Sequence, residues 1–73
     1  GKNFFISPNP AKDEISLKNV PNEICSVKIY NLTGKLMYSS NLNPSSAIIN
    51  ISNFPKGIYL VKVNNSTAKL IKL

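Results

Sequence analysis

The stretch 49–63, Ile-Asn-Ile-Ser-Asn-Phe-Pro-Lys-Gly-Ile-Tyr-Leu-Val-Lys-Val, constrains the fold more than any other part of the chain. Ile49 and Ile51 flank polar Asn50, so an extended segment here is apolar on one face. Pro55 fixes φ and Gly57 accepts positive φ, which together turn the chain sharply. Tyr59, Val61 and Val63 then resume a period-two alternation. The run therefore reads as a strand, a tight corner and a second strand. It carries no reactive constellation, so the function of such a chain is expected in what its surface binds.

The same punctuation continues on both sides. Residues 3–7 read as a first strand, stopped by Pro8-Asn9-Pro10, where two prolines remove two ladder donors. Further strands are expected at 15–18, 24–30, 36–40, 47–51, 57–64 and 67–73. A turn around Pro21 separates the second and third strands. A hairpin loop follows at 31–35, with Gly34 at a positive-φ position. The stretch 41–46 is rich in Asn and Ser and contains Pro44; it reads as a mobile loop that carries the chain between two sheets. Asn64 and Asn65 form the last turn, since Asn tolerates left-handed backbone. No helical periodicity spans ten residues. The inward set is expected to be Ile15, Leu17, Val27, Ile29, Ile49, Ile51, Phe54, Tyr59, Val61 and Val63. The implied fold is all-β: a small antiparallel sandwich of about seven strands, immunoglobulin-like or fibronectin III-like. An aromatic just after a Pro/Gly corner resembles the tyrosine corner of such sandwiches.

Composition narrows the function by exclusion. Seventy-three residues make one domain, 1–73, with a small core and no room for a deep catalytic cleft. Gly1 reads as a boundary inside a longer parent chain. There is no histidine, and Cys25 is the single cysteine. An internal disulfide, a zinc site and a cysteine–histidine pair are all excluded, and Cys25 is expected to be a buried thiol acting as a small hydrophobe. Asp13, Glu14 and Glu23 are the whole acidic inventory, and the neighbours Asp13 and Glu14 point to opposite faces of a strand. No catalytic, cofactor-binding or metal residues are expected. The net charge of +6 comes from nine lysines without arginine. Bidentate nucleic-acid contacts rely on arginine, so no nucleic acid is expected as a partner. Dispersed lysines on strands discourage edge pairing, while a diffuse positive field favours anionic partners. No segment is long enough to span a bilayer, and no signal peptide is visible. Asn-x-Ser/Thr triplets at Asn31, Asn50, Asn64 and Asn65 are expected by chance in so Asn- and Ser-rich a chain.

The ordered motifs resemble one family. Ser7-Pro8-Asn9-Pro10-Ala11 opens the pattern, and an alternating strand with a Gly-Lys hairpin follows, from Val27 through Tyr30 and Asn31 to Gly34-Lys35-Leu36. Then come the corner with Gly57 and Tyr59, and a basic-apolar terminal strand of Lys69, Leu70, Ile71, Lys72 and Leu73. Together these are similar to the C-terminal sorting domain, type A, of the type IX (Por) secretion system. The similarity covers essentially the full length; Cys25 is not part of the pattern, and Pro55-Lys56 falls where the family varies. The resemblance implies an address rather than an enzyme. Such domains end secreted enzymes and adhesins of Gram-negative bacteria. The outer-membrane secretion machinery reads them, and a sortase-like peptidase removes them, attaching the cargo to anionic lipopolysaccharide. Transit through the periplasm to the outer membrane, cell surface or medium is implied, with no cofactor, and a monomer is expected.

Under this reading, Lys69, Leu70, Ile71, Lys72 and Leu73 form the recognition strand, open to extension by a receptor strand or an acidic groove. Pro8, Asn9, Pro10, Gly34, Lys35, Gly57 and Tyr59 form the structural motif. Two rivals remain. One is a fibronectin III-like or carbohydrate-binding module of a secreted hydrolase, which would bind glycans, although the chain has no Trp and its aromatics are scattered. The other is a spacer, which would not redirect a foreign passenger.

Overall fold

A computed structural model describes residues 4–73, and none of them is helical. Seven strands form: β1 (Phe5–Ser7), β2 (Glu14–Lys18), β3 (Cys25–Asn31), β4 (Leu36–Leu42), β5 (Ile48–Asn50), β6 (Gly57–Val63) and β7 (Ser66–Lys72). Each expected strand is present within a residue or two of its expected bounds. The expected start of the first, Asn3, lies outside the described residues, as does Gly1. The strands make two antiparallel sheets, one in the order β1-β2-β5 and one in the order β4-β3-β6-β7. The all-β, two-sheet architecture is compatible with the immunoglobulin-like sandwich.

The core lies between the sheets and follows the period-two patterns. Ile15 and Leu17 of β2 and Ile49 and Ile51 in and beside β5 are buried, facing Cys25, Val27 and Ile29 of β3 and Tyr59, Val61 and Val63 of β6. Cys25 is buried as a free thiol and donates weakly to the Glu23 carbonyl at 3.5 Å. Phe54 packs against this core from the corner but is only half-buried, its ring centroid 5.2 Å from that of Tyr59 at a 43° tilt. Beyond the expected residues, Phe4, Ile6, Ala11 and Leu70 join the hydrophobic core.

Turns are set by backbone chemistry. Gly34 has φ 89° and Gly57 φ 148°, and a Cβ at either would meet nothing within 4 Å. Their requirement is conformational rather than steric. Asn64 adopts φ 52°, the left-handed conformation expected of it. The Tyr59 hydroxyl donates to the carbonyl of Pro55, four residues upstream, which ties the corner to the strand it launches.

The 43–47 connection does pass between the sheets, from β4 to β5, but it is pinned rather than loose. Asn43 and Ser45 both donate to Asn22 Oδ1, at 2.8 and 2.9 Å, and Pro44 is fully buried. Two of the residues expected in that loop, Asn41 and Leu42, belong to β4.

The Asn-x-Ser/Thr triplets include a recurrent turn device. Asn31 Oδ1 accepts from both the amide and the hydroxyl of Thr33, at 3.0 and 2.7 Å. Asn50 does the same for Ser52, at 2.8 and 2.7 Å. Asn43 repeats the geometry with Ser45 across an intervening Pro44, at 3.0 and 2.8 Å. These are side-chain turns in which Asn replaces a backbone acceptor.

Candidate functional site

Among the described residues there is no pocket, and no group of His, Cys, Asp or Glu is placed to hold a metal ion. Among the same residues, no helix is long and apolar enough to cross a membrane. Any site on the described residues is therefore a surface.

The two ends of the motif pattern meet in space. β7 is the outer strand of its sheet, and its free side is covered by the Pro-Asn-Pro-Ala segment. Asn9 Nδ2 donates to the Lys69 carbonyl at 2.8 Å, and the Ile71 amide donates to Asn9 Oδ1 at 2.9 Å. Ala11 continues the pairing: its amide donates to the Ile71 carbonyl at 2.9 Å, and the Leu73 amide donates to its carbonyl at 2.8 Å. The Ser7-Pro8 and Asn9-Pro10 peptides are both cis. Pro8, Asn9 and Pro10 are exposed, while Ala11 is buried against the core.

This corrects one expectation. The outer backbone of residues 69–73 is not an open template for a further strand, because the Asn9 amide side chain and Ala11 already use its groups. The five terminal residues also divide between two faces. Leu70 is fully buried and Lys72 is buried at 7% exposure, its Nζ donating to the Leu73 carbonyl at 2.8 Å. Lys69 and Leu73 are exposed and Ile71 is half-buried. Lys69, Ile71 and Leu73 are thus the side chains a partner can reach.

The remaining motif residues act through the backbone or the core. In the β3–β4 hairpin, the Lys35 amide donates to Asn31 Oδ1 at 2.9 Å, the Asn31 amide donates to the Lys35 carbonyl at 2.9 Å, and Gly34 closes the turn. Asn31 is the hub of this loop; an Asn two residues before Thr and three before Gly is the signal that points to it. Tyr59 is buried and Gly57 begins β6 at the corner. Of these residues, Lys35 presents a charged side chain at the surface.

On the outward side of the four-stranded sheet, Lys28 of β3 lies directly opposite Lys62 of β6, and Tyr30 lies opposite Leu60. Leu60 in turn faces Lys69 of β7. This juxtaposition depends on strand register and has no local sequence signature.

Comparison with known proteins adds the family. The model for the secretion system C-terminal sorting domain matches residues 5–73. No curated protein matches the chain. The matched span takes in all seven strands, the Asn9 cover of β7, the Gly34 hairpin and the Tyr59 corner. The chain belongs to the family of secretion system C-terminal sorting domains, the export signals of the type IX system.

Proposed function

We propose that the folded domain is an address read by the outer-membrane machinery as its cargo passes from the periplasm to the cell surface or medium. A sortase-like peptidase then cuts upstream of the sandwich and joins the cargo to an anionic lipopolysaccharide. The domain acts as a monomer and does no chemistry itself. The observation that carries this reading is the family match over 5–73. The placement of the motifs supports it, since the opening motif and the terminal strand form one hydrogen-bonded edge. The receptor would read that edge through the side chains of Lys69, Ile71 and Leu73. Pro8, Asn9 and Pro10 would hold the strand in place, and Gly34, Lys35, Gly57 and Tyr59 would hold the surfaces around it.

The test is a reporter carrying an N-terminal export signal and this domain. Deleting residues 69–73 is expected to leave the reporter in the periplasm. Leu70 is a core residue, however, so the deletion also disturbs folding. The surface variant Lys69→Glu with Leu73→Ser avoids that loss and is also expected to retain the reporter in the periplasm. Unaffected export of the surface variant would exclude recognition through this strand.

A further inference from the structure

The outward face of the β4-β3-β6-β7 sheet carries a charge arrangement that a merely solvated face does not need. None of its four strands contains Asp or Glu. Lys28 and Lys62 are direct cross-strand partners on the central pair of strands, and Lys69 faces Leu60 one row away. Like charges directly opposite each other destabilise a sheet. No carboxylate of the sheet relieves this pair.

The lysines border an apolar row. Leu36, Tyr30 and Leu60 are successive partners across β4, β3 and β6, and Ile58 sits beside them opposite Ile71. Leu36 is 48% exposed, and Ile58 and Leu60 are each 39% exposed. Large apolar side chains at the centre with charge at the margin is the layout of a protein–protein interface. Each of these three side chains is more than half covered, unlike the freely projecting apolar groups of a hydrocarbon-inserting anchor.

We infer that this face is the docking surface for a receptor protein that presents an apolar patch bordered by carboxylates. The inference rests on the reading of the chain as an export address. It extends that reading from the terminal strand to the whole face, of which Lys69 and Ile71 are one margin. Carboxylates of the partner would meet Lys28, Lys62 and Lys69 and relieve their mutual repulsion on binding. The apolar row would meet the partner's centre.

The experiment uses residues 1–73 fused to a signal-bearing reporter in a bacterium with a type IX system. Three variants are compared with the unmodified fusion: Lys28→Gln/Lys62→Gln, Leu60→Ser, and a control, Lys12→Gln/Lys18→Gln, whose lysines lie off this sheet. The Lys28→Gln/Lys62→Gln domain is expected to melt no lower than the unmodified one, because a like-charge pair is removed. Its export is nevertheless expected to fall about tenfold or more, because two charge contacts to the partner's carboxylates are lost. Leu60→Ser is expected to fall similarly and the control to export normally. Normal export of both Lys28→Gln/Lys62→Gln and Leu60→Ser would overturn the inference, and an equal fall in the control would replace it with a diffuse charge effect. A second arm mixes the purified domain with phosphatidylglycerol vesicles. Vesicle binding that is lost in Lys28→Gln/Lys62→Gln would overturn the protein partner in favour of an anionic lipid surface. Failure of the unmodified fusion to leave the periplasm would instead defeat the underlying reading, and the inference with it.

Discussion

Tyr59 shows how one side chain fixes a corner. Its ring is buried between the sheets, and its hydroxyl reaches back to the Pro55 carbonyl. Tyr59→Phe keeps the ring and strands that acceptor. The expected loss is about 1–2 kcal/mol, read as a lower urea midpoint with an unchanged m-value. Gly34 tests a different term. At φ 89° an L side chain is strained although the space is open, so Gly34→Ala is expected to cost about 1–2 kcal/mol in the same assay. A stability equal to wild type would show that the hairpin relaxes to another turn. Both positions were legible in sequence, because Pro, Gly and an aromatic at fixed spacing leave few local conformations. Asn31, Asn43 and Asn50 were less so. The triplets at Asn31 and Asn50 read as chance and Asn43 as plain loop, and the turn role emerges only where the side-chain oxygen meets the amide and hydroxyl two residues on.

At the scale of elements, alternation identified the strands, and its failures have physical causes. β1 has three residues, too few for a period-two pattern to distinguish inward Ile6 from outward Phe5. In β7 the neighbours Leu70 and Ile71 are both apolar, so local sequence leaves the parity open. Pairing of Tyr59 with Leu70 settles it, and buries Lys72 on the same side. β4 runs on through Asn41 and Leu42 because Ser26 and Cys25 of β3 pair with them, a tertiary contact that overrides the turn preference of Asn. The covered edge of β7 was hidden for a similar reason. Asn9 and Ile71 are 62 residues apart, and no local pattern joins them. Asn9→Ala is expected to speed hydrogen exchange at the Ile71 amide, with smaller effects at Ala11 and Leu73 and none at Val27 or Val61. An unchanged rate at Ile71 would mean that Ala11 alone closes this edge.

The whole molecule is a compact body rather than a linear tag. Its Cα radius of gyration is 11.1 Å, against about 11 Å expected for a globular domain of this length. The chain also reverses between its two sheets three times, so residues distant in sequence share one surface. On the proposed reading, such an address is read as a shape: rows of side chains on strands whose register the core maintains. The family and the fold were legible because the motifs fall at the turns and in the core. The proposed recognition surface was not, because its lysines and apolar row come from four strands and meet only once the register is set. The most direct measurement is the fraction of a signal-bearing foreign passenger that leaves a type IX-competent cell with and without residues 1–73 at its C-terminus. The account predicts export with the domain and retention in the periplasm without it. Equal export of the two passengers would contradict it.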